Sequence, residues 1–155
     1  MKISGNIFLK GDKSIAHRAI MLASLCSGES IISNVPNSED VLSTINALSA
    51  CGIKIQDKTG KLSIIGDTFK APDIDIDCGN SGTSMRLMIG LLASKKIRCK
   101  LIGDQSLSSR PMDRILHPMQ KLGFDIISSD GYAPIKLQEF DSKKIDMIHI
   151  CVPTV

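Results

Sequence analysis

Three cations stand beside helix starts or glycine turns in this chain: Lys13, Arg18 and Arg110. Lys13 and Arg18 lie in Gly11-Asp12-Lys13-Ser14-Ile15-Ala16-His17-Arg18, and Arg110 follows the polar loop Gly103-Asp104-Gln105-Ser106-Leu107-Ser108-Ser109. Between them comes Cys78-Gly79-Asn80-Ser81-Gly82-Thr83-Ser84-Met85-Arg86, where glycines permit a tight turn and Asn, Ser and Thr are good helix caps. A cation at a helix N-terminus opposes the positive end of the helix dipole, at a cost of up to ~1 kcal/mol unless an anion intervenes. Unpaired N–H groups, small hydroxyls and guanidinium groups together suit a phosphate or a carboxylate. The chemistry these residues point to is anion binding.

The elements that must position them come as a repeat. Gly11 to Arg18 aligns without gaps on Gly79 to Arg86, placing Gly11 on Gly79, Asp12 on Asn80, Ser14 on Gly82 and Arg18 on Arg86. The register continues in Ala50-Cys51-Gly52-Ile53-Lys54-Ile55 and Lys121-Leu122-Gly123-Phe124-Asp125-Ile126, each closing an apolar helix and opening a strand. The expected units span about 11–70 and about 71–140, with a third beginning at 144–155. Unit one reads as a strand at 3–9, a helix at 14–26 with an apolar stripe of Ala19, Leu22, Ala23 and Cys26, a strand at 30–34, a helix at 39–50 capped by Ser38, and strands at 53–56 and 61–65 about the turn Lys58-Thr59-Gly60. Unit two reads as a strand at 73–77, a helix at 82–93, a strand at 97–102, a helix at 112–122 led by Pro111, and strands at 124–128 and 134–138 about the turn Ser128-Ser129-Asp130-Gly131. Each unit is β-α-β-α-β-β, and a final strand is expected at 144–152. The helix at 85–93 is apolar all round, so it must be covered on all sides, and two units leave much of that surface bare. More chain or a partner is therefore expected, and the chain alone is expected to self-associate.

Composition narrows the function classes. The 155 residues are 43% hydrophobic and 23% charged, with one Tyr, four Phe and no Trp. So few aromatic residues argue against a base-stacking nucleic-acid module. The net charge of +3 comes from dispersed Lys and Arg, which announce neither a nucleic-acid nor a membrane surface. Cysteines 26, 51, 78, 99 and 151 form no CxxC pair, and Cys26, Cys51 and Cys99 read as buried free thiols. His17, His117 and His149 fit no zinc spacing and read as structural or surface residues, His17 gaining weight from its neighbours. No Gly-x-Ser-x-Gly elbow or Walker lysine pattern is present. No charged-then-apolar leader stands at the start, and no apolar run reaches the ~20 residues that span a bilayer, so a cytoplasmic location is expected.

The segments at 11–18, 79–86 and 103–112 together resemble 5-enolpyruvylshikimate-3-phosphate synthases, which read P-G-[DS]-K-S-x-[SA]-[HN]-R, G-N-[SA]-G-T and G-D-x-S-L-x-x-R-P-M in this order. Lys10 stands where proline is usual before Gly11. The resemblance implies transfer of the enolpyruvyl group from phosphoenolpyruvate to the 5-hydroxyl of shikimate 3-phosphate, with release of phosphate. Lys13 resembles the lysine that touches both substrates, Ser14 and Arg18 resemble shikimate 3-phosphate contacts, and Gly82 and Arg110 resemble phosphoenolpyruvate contacts with Asn80 as the turn residue beside them. It implies no metal and no organic cofactor, a full-length enzyme that is usually monomeric, and glyphosate binding at the phosphoenolpyruvate position near Gly82. It further implies an inside-out α/β barrel of two domains, each of three such units with helices inside and sheets outside, of which this chain covers about the first third and so an incomplete domain. The family's residues for proton transfer have no counterpart here, so the catalytic residues are unknown. The UDP-N-acetylglucosamine enolpyruvyl transferases fit less well: they carry Lys-Asn where this chain has Lys13-Ser14 and need a catalytic cysteine. A truncated remnant that at most binds shikimate 3-phosphate weakly is the non-enzymatic alternative.

Overall fold

The computed structural model describes residues 4–140. Its elements run α1 (Lys13–Leu25), β1 (Gly28–Ser33), α2 (Glu39–Ala50), β2 (Lys54–Lys58), β3 (Lys61–Gly66), β4 (Ile76–Asp77), α3 (Gly82–Ser94), β5 (Cys99–Ile102), α4 (Gln105–Ser108), α5 (Asp113–Lys121), β6 (Phe124–Ser129) and β7 (Tyr132–Phe140). The strands form an antiparallel sheet of order β1-β3-β2 and a mixed sheet of order β4-β5-β7-β6. In the second sheet β4 pairs parallel with β5, and the rest pair antiparallel. Among the described residues the two sheets stay separate, so no closed barrel is formed.

The repeat is visible in local geometry. The β2–β3 hairpin turns on Thr59 and Gly60, at φ 54° and 79°, and β6–β7 turns on Asp130 and Gly131, at φ 53° and 82°. Two central residues at positive φ match the right-handed twist of the flanking strands. α2 ends in a Schellman motif, with Ile53 N–H donating to Leu48 C=O at 3.1 Å and Gly52 N–H to Ser49 C=O at 3.0 Å. α5 ends at the equivalent Gly123, φ 88°.

The helices α1, α2 and α3 contact one another, while α1 also packs on β3 and α3 on β7. The core is aliphatic: Ile20 of α1, Leu48 of α2, Met85, Met88, Ile89 and Leu92 of α3, with Ile64, Leu101 and Ile135 from the sheets, all fully buried. Burial on this scale, at roughly 1.5–3 kcal/mol per large side chain, is what holds the helix starts in place.

Several expectations are corrected. Residues 4–9 form no strand, and Ile7, Phe8 and Leu9 are 85%, 94% and 80% exposed. A loosely alternating pattern becomes a strand only with a ladder partner, and among the described residues nothing pairs with this stretch as β5 pairs with β4. β4 itself holds two residues, because Pro72 and the aspartates ahead of it are poor ladder formers, and Asp75 is instead drawn into an ion pair with Lys100. On α1 the buried face is Ala16, His17, Ile20, Met21, Ala23 and Ser24, so of the expected stripe Ala23 is buried while Leu22 and Cys26 are exposed. α5 starts after Pro111, with Met112 as N-cap, and Ser38 stands at the N-cap of α2 without a side-chain capping bond. Cys51 and Cys78 are buried as free thiols, and burial pushes them up to about 11 and about 12 respectively; Cys99, half-buried, is pushed up to about 12. The strand expected at 144–152 and the third unit it opens lie outside the described residues, as do His149 and Cys151. No helix among the described residues is long and apolar enough to cross a membrane.

Two glycines test this packing from opposite sides. A Cβ on Gly66 would lie 2.2 Å from Cys26 O and 2.4 Å from Ala23 O, whereas one on Gly90 meets nothing within 4 Å. Gly66→Ala is expected to destabilise by about 1–3 kcal/mol or more, since backbone must move. Gly90→Ala, mid-helix with open space, is expected to stabilise by about 0.5–1 kcal/mol. Denaturant midpoints of the two variants check both signs.

Candidate anion-binding site

α1 and α3 begin in the same way. Asp12 caps α1, its Oδ1 accepting the Ile15 N–H at 2.8 Å, and Ser81 caps α3, its Oγ accepting the Ser84 N–H at 3.1 Å. In both helices the cap satisfies the third N–H and leaves the first two, those of Lys13 and Ser14 and those of Gly82 and Thr83, without a partner in the helix. Orphan donors and the positive end of the dipole therefore coincide at each start. The cap falls one residue later in the second copy than the sequence alignment implies, because Ser81 occupies the place of Lys13.

α2 joins the two starts. Asp40, in its acidic first turn, accepts from Lys13 Nζ at 2.5 Å, and the Asp40 carbonyl accepts from Ser84 Oγ at 3.2 Å. Lys13 is half exposed, so it is tethered without being sequestered. Arg18 lies one turn into α1 and donates to Ser14 C=O at 2.8 Å, which brings its guanidinium back to the helix start. The i, i+4 face shared by Ser14 and Arg18 is thus realised.

The second half of the site is built on loops locked to each other. Gly79 N–H donates to Asp77 Oδ1 at 2.8 Å, and Gly79 C=O accepts from Asp104 N–H at 3.0 Å. Asp104 caps α4 by accepting the Leu107 N–H at 2.7 Å and also accepts from Asn80 Nδ2 at 2.8 Å. The Leu107 bond chiefly, then Asn80, holds its carboxyl below the usual carboxylate range. With its amide nitrogen so engaged, Asn80 presents Oδ1 to Arg110 Nη2 at 2.6 Å, and Arg110 also donates to Ser106 Oγ at 3.1 Å and to Asn80 C=O at 3.3 Å. Arg110 is therefore fixed by neutral acceptors, with the Asp104 carboxylate acting on it only at longer range.

Gly82 sits where two guanidinium groups converge. A Cβ there would lie 2.6 Å from Arg86 Nη1 and 3.7 Å from Arg110 Nη1. Arg86 donates to Pro111 C=O at 3.0 Å, and burial first, then Arg110 and Arg114, depress its pKa. Two like charges converging on one glycine at a helix N-terminus are stable when an anion lies between them.

The structure thus gathers Asn80, Gly82 and Arg110 at one helix start and Lys13, Ser14 and Arg18 at the other, with Asp40 between. Sequence reasoning passed over Asp40, Asp104, Ser106 and the use of Arg86. Asp104 and Ser106 lie in the polar loop it had marked, and the acidic first turn of α2 was the signal for Asp40. His17, read as a structural or surface residue, is buried, with Nδ1 2.7 Å from Thr44 Oγ1 and Nε2 without a partner among the described residues. His117 is exposed, 3.6 Å from Asp113. No cluster of three or more His, Cys, Asp or Glu able to hold a metal occurs among the described residues.

Residues 1–155 match the family described as EPSP synthase (3-phosphoshikimate 1-carboxyvinyltransferase). The chain is 44% identical over 141 residues to 3-phosphoshikimate 1-carboxyvinyltransferase of Streptococcus pyogenes serotype M49 (strain NZ131), an overlap that takes in 88% of this chain and 33% of that protein. A solved EPSP synthase from Acinetobacter baumannii superposes with a TM-score of 0.84 at 35% identity, covering 92% of this chain and 34% of the other. A second structure from that organism, at 2.37 Å, gives 0.81 at 36% identity over 86% and 32%. The chain spans about a third of the length of the relatives it matches.

His17 gives the site a pH dependence. Burial, only partly opposed by Asp40 and reinforced by Lys13 and Arg18, lowers its pKa below 6.5. The unfolded chain then binds the proton more tightly, so the stabilisation is complete above about 6.5 and is lost as the pH falls toward the folded-state value. Thermal melting is expected to drop between about pH 7.5 and pH 5.5, and His17→Asn is expected to flatten that drop; an equal drop in both proteins would show that other groups cause it.

Proposed function

The chain belongs to the EPSP synthase family, and on that premise we propose that it forms one part of an enzyme that moves the enolpyruvyl group of phosphoenolpyruvate onto the 5-hydroxyl of shikimate 3-phosphate. The new bond joins the 5-oxygen to the enol carbon, the bond from that carbon to the phosphate oxygen breaks, the hydroxyl proton is given up, and inorganic phosphate leaves. In this reading Ser14 and Arg18 hold shikimate 3-phosphate, Asn80, Gly82 and Arg110 hold phosphoenolpyruvate, and Lys13 touches both. The location proposed is the cytoplasm.

The observation that carries the reading is the pair of identically capped helix starts joined through Asp40. Two substrates that are both anions repel each other, and their encounter is made favourable by cations and N–H groups fixed beforehand. Asp40 has a particular part here. It keeps Lys13 at the site when no substrate is bound, and an arriving phosphate competes for the same ammonium group. The reaction needs in addition a group to take the hydroxyl proton, which we assign to the portion of the relatives that lies beyond the matched third. Accordingly, this chain alone is expected to bind shikimate 3-phosphate weakly and to release no phosphate.

The test joins this chain to the remaining two thirds of the Streptococcus pyogenes relative and measures phosphate release from shikimate 3-phosphate plus phosphoenolpyruvate. Activity is expected from the chimera, with kcat/KM reduced about a hundredfold or more by Lys13→Ala or Arg110→Ala, as loss of a charge-assisted contact made in the transition state requires. A folded, active chimera indifferent to both substitutions would overturn the assignment of the site.

A further inference from the structure

A chain of buried hydroxyls runs from α1 to α3 through α2. His17 Nδ1 lies 2.7 Å from Thr44 Oγ1, Thr44 Oγ1 lies 2.6 Å from Ser84 Oγ, and Ser84 Oγ lies 2.7 Å from Ser81 Oγ and 3.2 Å from the Asp40 carbonyl. All four side chains are buried: His17 is 1% exposed, Ser81 2%, Thr44 and Ser84 0%. The His17–Thr44 and Thr44–Ser84 partners are 27 and 40 residues apart in sequence, so the links between helices are tertiary, and only Ser84–Ser81 is local.

Its proton order follows from the one member that can only accept. The Ser84 hydroxyl is satisfied in donating to the Asp40 carbonyl or to Ser81 Oγ, which already caps α3. Thr44 then donates to Ser84, and His17 Nδ1–H donates to Thr44. The reverse order would leave Asp40 C=O without this donor and bury an Nε2–H with no acceptor, since Nε2 has no partner among the described residues. A bare imidazole lone pair is the smaller penalty. The charged groups around the ring are Asp40 from α2 and Lys13 and Arg18 from its own helix.

We propose that His17, held as the neutral Nδ1–H tautomer, is a positioning residue that, through Thr44 and Ser84, fixes the spacing of the two helix starts at which the anions bind. The chain ends on the N-cap of α3 and on the residue whose carboxylate holds Lys13, so a change at the imidazole reaches both halves of the site. The inference rests on the anion-site reading above and adds to it a residue that touches no substrate.

The test uses the 155-residue chain labelled with 15N, and sulfate as a dianion that does not titrate near neutral pH. Long-range proton–nitrogen correlation is expected to show His17 protonated on Nδ1 alone. Sulfate is expected to shift the backbone N–H signals of Ser14 and Thr83. Thr44→Val, close in volume but without the hydroxyl, is expected to lower the sulfate affinity at least about fivefold, the worth of one hydrogen bond, and Thr44→Ser to restore it. Ser84→Ala interrupts the same chain and decides the matter should Thr44→Val not fold. An Nε2–H tautomer, or unchanged affinity in a folded Thr44→Val or Ser84→Ala chain, overturns the proposal and leaves the site standing. Absence of any sulfate response in the unsubstituted chain overturns the site and the proposal together.

Discussion

Setting the positive ends of two helices next to each other, with cationic side chains among them, is electrostatically unfavourable, and much of the structure is organised around holding that arrangement. Carboxylates absorb part of the repulsion: Asp12 caps α1, Asp40 pairs with Lys13, and Asp104 orients Asn80 against Arg110. None of them hydrogen-bonds Arg110 or Arg86, whose guanidinium groups instead donate to carbonyl, amide and hydroxyl oxygens. The aliphatic interior formed by Ile20, Leu48, Met85 and Met88 supplies the rigidity that keeps the ends from separating. Donors and cations held in place before any ligand arrives are the form that preorganisation for an anion would take.

Much of this was legible in the chain itself. α2 was bounded correctly at both ends because Ser38, Glu39 and Asp40 mark a helix start and Gly52 a stop, signals that act within one turn. The two similar helix starts, at Lys13 and Gly82, followed from the repeat to within one residue, since a glycine turn and a run of cap residues precede both. What escaped was non-local. The stretch 4–9 alternates like a strand yet has no ladder to join among the described residues, and the short helix α4 was hidden in a polar loop whose cap, Asp104, also serves Asn80. The hydroxyl chain from His17 to Ser84 crosses three helices, and no local pattern encodes which buried polar residues will meet.

The apolar surface left open by α1 and α2 bears on function. Ile15 and Leu22 are 68% and 63% exposed and Leu42 is 54% exposed, while Leu87 and Leu91 of α3 are partly covered. Apolar side chains exposed on helices that are otherwise packed form a surface able to take further contacts.

Whether the two capped helix starts are a pair of anion sites is decided by where anions settle on the chain. The most direct measurement is a crystal structure of the chain grown in selenate, with the anions located by the anomalous signal of selenium and methionine left as the sulfur form. One peak is expected within hydrogen-bonding distance of the Ser14 N–H and Lys13, and another at the Gly82 and Thr83 N–H groups beside Arg110. Peaks confined to other surfaces, with both helix starts empty, would contradict that expectation.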